Sequence, residues 1–414
     1  MKVFGDDGFR DVFGKGLLSK NFLANFFLKL SIFFERFKIK KVVIGYDTRG
    51  SHKNIIIILL NNLVYYCDIE VLDKPVPTPC LAYLSKKNKN TFFIMITASH
   101  FNKRFNGFKF FFKGKKLIKK YEKDILKSKI IKEKNIKVNK IKYTKDYFYY
   151  ENYLNNNFKS IRLNKKILID FSYGAASSMM KTIKFFKQVK KIKYSFNYNN
   201  INLKCGSNFL KQNIKKKEYN KYDYVFAFDG DADRVSIYKK GYGIIESEKI
   251  CIIFAEFLKS KSVIGTQISS PDIKKYFKDK KIKYFQAQVG DRNVTDLQKK
   301  FFSKIGFETS GHYSFNNYMD GIFATGFFLK ILKNNNDLIE KILNISFEYE
   351  LYKFNLDKDK IYSLKKLNLK KYKFLKVIKR KSIWSDIFRV YIFFLKKEKK
   401  SFLHLIHQLK KLSK

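Results

Sequence analysis

Short apolar runs, rich in β-branched and aromatic residues and ending in Gly, Ser or Asp, alternate along this chain with longer amphipathic segments. Val42–Gly45, Phe92–Ile96, Ile167–Asp170, Tyr224–Phe228 and Val263–Gly265 read as strands. Phe22–Phe34, Ile55–Tyr66, Ser177–Val189, Lys249–Leu258, Val294–Phe302 and Ile322–Leu332 read as helices. Strand then helix, repeated, restricts the chain to α/β units with polar loops at the strand C-terminal ends, where sites form. The 414 residues exceed one domain, which takes roughly 100–200. Three α/β units and a small C-terminal cap are expected, at 1–150, 151–243, 244–356 and 357–414. The polar, Lys-rich 113–147 closes the first, and Lys239–Gly243 (KKGYG) marks the turn towards the third.

Charge is the odd feature. Lys plus Arg is 87 against Asp plus Glu 36, a formal net charge of +51. Such a balance invites a nucleic-acid or membrane-surface partner. Its distribution argues otherwise, because only nine of the basic residues are Arg and the lysines are spread along nearly the whole chain. Lys, Ile, Asn, Phe and Tyr dominate together, the set written by A/T-rich codons, so coding bias is the expected origin. The rare Arg, Pro and acidic clusters then become informative. Cys67, Cys80, Cys205 and Cys251 are far apart and form no CxxC, so neither a disulfide framework nor a zinc site is expected. The start carries acids and Gly where a signal peptide needs an apolar core, and no apolar run approaches the ~18 residues of a membrane span. A soluble, cytoplasmic protein is expected.

Four segments carry chemistry. Asp229-Gly230-Asp231-Ala232-Asp233-Arg234 follows an apolar run directly. Three carboxylates at alternate positions repel one another unless a cation lies among them, and oxygen-only ligands favour Mg²⁺. Thr97-Ala98-Ser99-His100 also follows a strand, with Asn106-Gly107-Phe108-Lys109 after it. A Ser there is placed to meet a substrate, although a capped turn explains it equally. Glu308-Thr309-Ser310-Gly311-His312 can bind sugar hydroxyls, or form a polar loop before a helix capped by Asp320. Lastly, Arg10, Arg49, Arg292, Arg380 and Arg389 offer forks that fit phosphate. Arg49 and Arg292 each stand beside an Asp, so structural Arg–Asp pairs are the plain alternative for them.

Together these segments resemble the α-D-phosphohexomutases nearly end to end, most closely the bacterial glucosamine-phosphate members. Phe4-Gly5-Asp6-Asp7-Gly8-Phe9-Arg10 is similar to FGTDGIRG, and Pro75-Val76-Pro77-Thr78-Pro79 to the PTP turn. TASH with NGFK resembles TASHNP…NGIK, and DGDADR resembles the metal loop. Asn200-Ile201-Asn202 with Cys205-Gly206-Ser207 is similar to NIN…CGS. Val289-Gly290-Asp291-Arg292 with Glu308-Thr309-Ser310-Gly311-His312 is similar to the segments that mark the glucosamine type.

The resemblance implies a phosphohexomutase-like α/β fold: three related α/β domains around a cleft plus a small C-terminal α+β domain. It implies that Ser99 carries a phosphoryl group and binds one Mg²⁺ together with Asp229, Asp231 and Asp233. His100, Lys109, Arg10 and Arg234 would be catalytic. Glu308, Ser310, His312 and Arg292 would bind substrate, and Arg380, Ser382 and Arg389 phosphate. The reaction implied interconverts glucosamine 6-phosphate and glucosamine 1-phosphate through a sugar 1,6-bisphosphate, feeding UDP-N-acetylglucosamine synthesis. The expected partner is a small sugar phosphate, with no specific nucleic acid, no membrane, and a monomer or homodimer as the assembly.

Three stretches depart from the pattern. Phe101-Asn102 replaces the NP after TASH, Ile383 and Trp384 replace the Gly and Thr of the terminal phosphate loop, and Gln288 stands where a Lys precedes VGDR. A competent but weakened enzyme is expected. The alternatives are a glucose- or mannose-phosphate mutase of the same family, a Mg²⁺ phosphatase with Asp229 as nucleophile, and a cationic nucleic-acid-binding protein.

Overall fold

The computed structural model describes residues 3–129, 138–159, 161–195, 199–357, 376–381, 387–400, 402–403, 405 and 407, with backbone alone at 376–377 and 379–381. The chain forms two compact units, Met1–Ile245 with Ser310–Asn336, and Glu246–Thr309 with Asp337–Lys414. Each is a mixed α/β assembly.

The first unit holds two sheets. The larger is seven-stranded and comprises β1 (Phe9–Val12), β2 (Lys41–Tyr46), β3 (Asp68–Leu72), β4 (Phe92–Ile96), β5 (Phe105–Phe112), β6 (Lys115–Lys116) and β7 (Ile141–Thr144). Its order is β1-β5-β4-β2-β3-β7, with β6 on β5. Strands β2, β3, β4 and β7 run parallel and β5 runs against β4. Helices covering the faces explain why β4, Phe-Phe-Ile-Met-Ile, is buried at every position. The helix Lys20–Arg36 presents Leu23, Phe26, Phe27, Leu30, Phe33 and Phe34 at helical spacing to this core. The Phe-rich composition fills it: Phe9 meets Phe26 at 5.0 Å and Phe108 at 5.1 Å between ring centroids. Such pairs add about 0.5–1.5 kcal/mol each beyond area burial.

The second sheet comprises β8 (Ile167–Asp170), β9 (Lys190–Ile192), β10 (Tyr224–Phe228), β11 (Val235–Lys239) and β12 (Gly243–Ile244), in the order β12-β11-β10-β8-β9. Lys239–Gly243 is a hairpin turn inside this sheet, closed by the Tyr242 N–H on the Lys239 carbonyl at 3.1 Å. The first stretch of this compact unit ends just beyond it, at Ile245.

One expected helix is absent. Ser177–Val189 folds as two 3₁₀ turns, Ala175–Met179 and Lys184–Gln188, with Ile183 extended between them. Asn155, on the helix Tyr147–Asn157, is the physical reason. Its amide donates to the Thr182 carbonyl at 3.0 Å and accepts from the Lys184 N–H at 2.8 Å, taking backbone groups that a helix would use.

The second unit contains the parallel strands β13 (Ser262–Thr266), β14 (Lys283–Ala287) and β15 (Ile305–Glu308), with β13 central. The helices Ser247–Phe257, Pro271–Asp279 and Asp291–Lys300 accompany them. Tyr349–Asp357, Lys376–Lys381 and Ile387–Leu395 form a separate antiparallel sheet, the last strand in the middle. Among the described residues no helix is long and apolar enough to cross a membrane.

Candidate active site

The C-terminal ends of β4 and β10 each release a short loop, and in the first unit these two loops meet. After β4 comes Thr97-Ala98-Ser99-His100. Ser99 is fully buried and sits at φ +52°, a left-handed conformation that costs a residue with a Cβ about 1–2 kcal/mol. The surroundings hold it there. The Ser99 N–H donates to Thr97 Oγ1 at 2.9 Å. The Ser99 carbonyl accepts from Arg49 at 3.0 Å and from Asn202 Nδ2 at 2.8 Å. The same two side chains also donate to the Phe101 carbonyl, at 2.5 and 2.9 Å. Arg49 is paired with Asp47, both wholly buried, and Asp47 accepts from Thr97 Oγ1 at 2.6 Å. Arg49 is therefore a bracket for the serine loop and not a phosphate ligand, in line with the structural Arg–Asp alternative.

After β10 comes the acidic loop. Ser99 Oγ donates to Asp229 Oδ2 at 2.8 Å. Only glycine permits this approach at position 230: a Cβ there would lie 2.7 Å from the Ser99 carbonyl oxygen. Asp229, Asp231 and Asp233 are buried, and one carboxylate oxygen from each lies within 4.8 Å of the others. Lys109, at the centre of β5, is fully buried and bridges two of them, 2.8 Å from Asp231 Oδ2 and 2.5 Å from Asp233 Oδ2. Its third partner is Asp7 Oδ2 at 3.0 Å, whose other oxygen pairs with Lys116 at 2.6 Å. Gly8 makes room for this pairing, since a Cβ at its φ of +74° would strike the Phe108 carbonyl.

Bonds to Lys109 use one oxygen each of Asp231 and Asp233. Asp231 Oδ1 is buried with no hydrogen-bond partner, and Asp233 Oδ1 is buried 3.2 Å from His312 Nε2. An orphaned carboxylate oxygen on Asp231, with two further carboxylates beside it, fits a hard divalent cation, and an all-oxygen set suits Mg²⁺.

Electrostatics agree. Burial, with Asp233 and Asp231 close by, pushes the Asp229 carboxyl up to about 7. Asp233 is buried too, yet Lys109, His312 and Arg234 hold it well below the usual carboxylate range. Burial alone would lower the Lys109 ammonium, but Asp231, Asp233 and Asp7 overcome this and raise it. Lys109 is thus a fixed cation.

Arg234 Nε reaches His312 Nε2 at 3.0 Å, and its Nη2 lies 3.4 Å from Ser99 Oγ. His312 Nδ1 faces Ser310 Oγ at 2.8 Å. His312 Nε2 also lies 3.2 Å from Asp233 Oδ1, so the imidazole stands between a guanidinium and a carboxylate. His100 Nδ1 stands 3.3 Å from Ser99 Oγ. Burial, then Arg234 and Arg10, lowers its pKa far enough to keep the ring neutral. Arg10, on β1, pairs with Asp7 at 3.5 Å.

The structure thus gathers Ser99, His100, Lys109, Arg10, Arg234, Asp229, Asp231, Asp233, Ser310 and His312 in one unit. Glu308 and Arg292 belong to the second unit. There Glu308, at the end of β15, accepts the Gly290 N–H at 2.7 Å, and Arg292 lies buried in the first turn of the helix Asp291–Lys300. The backbone register sets Arg380 directly opposite Arg389, which is exposed. Ser382, Ile383 and Trp384 lie outside the described residues. Asp7, Lys116, Thr78 and Asn202 were not expected as individual site residues. Asp7, Thr78 and Asn202 fall within the quoted GDDG, PTP and NIN segments, so a motif marked each place but not its contact.

Residues 1–136 match the phosphoglucomutase/phosphomannomutase α/β/α domain I family, and residues 246–349 match its α/β/α domain III. A phosphoglucosamine mutase of Dictyoglomus thermophilum is 31% identical over 369 residues, 82% of this chain and 79% of that protein. The chain belongs to the α-D-phosphohexomutase family. A second phosphoglucosamine mutase, from Fusobacterium nucleatum, is 31% identical over 83% of this phosphohexomutase and 81% of its own length. Solved structures share the fold at lower identity. A phosphoglucomutase/phosphomannomutase family protein from Burkholderia thailandensis superposes with a TM-score of 0.79 at 18% identity, covering 100% of this chain and 98% of that one. An N-acetylglucosamine-phosphate mutase in its substrate complex gives 0.67 at 15%, covering 98% and 96%.

Asp320 of this phosphohexomutase caps the helix Gly321–Asn334 through the Phe323 N–H at 2.8 Å, as the polar-loop reading expected. The Tyr150 hydroxyl also donates to it, 2.9 Å from Oδ1. Burial pushes its carboxyl up to about 7 against these hydrogen bonds. The folded protein therefore keeps a proton that the unfolded chain releases near pH 4. This contribution to stability is full below about pH 4 and is lost as pH rises through 7. Asp320→Asn should gain on wild type in urea unfolding, run in EDTA, between pH 5 and 8. A difference that does not change with pH would refute the assignment.

Proposed function

We propose that the chain is a phosphoglucosamine mutase, a cytoplasmic enzyme acting as monomer or homodimer on glucosamine phosphates. The observation that carries this reading is a buried serine on a left-handed turn, its Oγ 2.8 Å from one of three clustered, buried carboxylates. Phosphoryl transfer asks for positioning and neutralisation more than covalent help, which is what these loops offer.

Ser99 carries a phosphoryl group and passes it to O1 of glucosamine 6-phosphate. The sugar 1,6-bisphosphate turns over and returns its 6-phosphoryl to Ser99, releasing glucosamine 1-phosphate. Asp229, Asp231, Asp233 and the phosphoserine would hold Mg²⁺, which neutralises charge on the transferring oxygens. Arg234 stabilises the same charge from beside Ser99 Oγ. Neutral His100 presents Nδ1 to Ser99 Oγ as a hydrogen-bond partner. Lys109 contributes as a fixed positive charge and does not exchange its proton while three carboxylates hold it. Glu308, Ser310 and His312 grip sugar hydroxyls, and Arg10 orients phosphate. Arg292, with Arg380, Ser382 and Arg389, holds the phosphate that is not reacting.

The test is kcat/KM on glucosamine, glucose and mannose 6-phosphates after priming with a sugar bisphosphate. The glucosamine substrate should be preferred. Higher values on glucose or mannose phosphate would assign the chain to a sibling activity, and no turnover on any would remove the reading. Sequence-selective nucleic-acid binding that falls steeply with salt would favour the cationic-binder alternative.

A further inference from the structure

We propose that Thr78 is a positioning residue of the metal loop, and that the proline-rich turn around it exists to set one Asp231 oxygen free for the ion. The inference rests on the reading of Asp229, Asp231 and Asp233 as metal ligands. Pro75, Pro77 and Pro79 are three of the chain's four prolines, and no catalytic step uses them. They surround a single polar side chain. Thr78 is buried and opens the helix Thr78–Lys87, with Pro77 as its N-cap in extended backbone.

Two bonds run from Thr78 to Asp231. Its N–H donates to the Asp231 carbonyl at 2.9 Å, and its Oγ1 donates to Asp231 Oδ2 at 2.5 Å. The turn is anchored behind by the Val76 N–H on the Tyr46 carbonyl at 2.8 Å, at the end of β2. Proline fixes its own φ, so the bracket from β2 to Asp231 has few soft torsions. Asp231 Oδ2 then has both Thr78 Oγ1 and Lys109 Nζ as donors, while Oδ1 has none. A carboxylate whose one oxygen is doubly engaged cannot rotate without losing both bonds. The hydroxyl thereby fixes which oxygen is presented, the role that outer partners play around metal ligands.

Thr78→Val keeps the shape and the backbone bond but removes the hydroxyl. Mn²⁺ titration of the full-length, unphosphorylated protein, followed by the EPR signal of free Mn²⁺, reads the site without turnover. T78V should bind Mn²⁺ roughly 10-fold or more weakly, and Thr78→Ser, which keeps the hydroxyl, should restore wild-type affinity. Thermal melting in EDTA reports folding separately, and T78A serves if T78V does not fold. Wild-type affinity in the variant lacking the hydroxyl would overturn the inference, as would a T78S as weak as T78V. A wild-type chain that binds no Mn²⁺ would instead remove the metal-loop reading on which it stands.

Discussion

Ser99→Ala is expected to leave a folded, Mn²⁺-binding protein that carries no covalent phosphate and turns over at least about 10⁴-fold more slowly than wild type. The size follows from the role. A group that carries the transferred phosphoryl cannot be replaced by its neighbours, whereas a group that only orients it can be replaced in part. Ser99 is also the group that sterically requires its surroundings. Its backbone is left-handed, Gly230 is cleared for it, and its carbonyl takes two side-chain donors. Peptide mapping of wild type should place phosphate on Ser99, and a coupled mutase assay gives the rate. Phosphate found on Asp229 would point to the phosphatase alternative. An S99A protein with a tenth of wild-type turnover would move the carrier elsewhere.

The second large effect is on stability. Arg49→Met should cost about 3–5 kcal/mol, because it leaves the Asp47 carboxylate buried without its cation. The substitution also removes one donor from each of the Ser99 and Phe101 carbonyls, leaving Asn202 alone on both. Asp47→Asn combined with Arg49→Met should recover part of the loss, since the uncompensated charge is gone. Urea unfolding of the two variants measures both values. A loss below about 1 kcal/mol in Arg49→Met would mean that the pair is replaceable and the bracket lies elsewhere.

Much of this molecule is legible residue by residue. The strands Phe92–Ile96, Ile167–Asp170 and Tyr224–Phe228 end where the apolar runs end, because a strand buried on both faces must be apolar throughout. The acidic loop was legible for a related reason. In a chain so poor in acid, three alternate aspartates after such a strand have few uses other than a cation. Ser177–Val189 was misread because its apolar spacing fits a helix equally well, and only Asn155, some thirty positions earlier in the chain, breaks it. The basic excess says little about partners, since the structure uses individual lysines such as Lys109 and Lys116 as buried counter-ions and leaves many others exposed.

The sequence by itself determined the α/β class, the serine and aspartate loops and the family, because each is written in contiguous residues whose spacing carries the chemistry. The tertiary structure decided what those loops are made to do. Lys109 is held charged by carboxylates from two separate segments, Asp231 is oriented by a threonine 153 positions away, and Ser99 is held by Arg49 and Asn202. None of these pairings has a sequence signature. Each exists because two sheets place the ends of β4 and β10 within hydrogen-bonding distance, where burial makes every unpaired charge costly enough to require a partner.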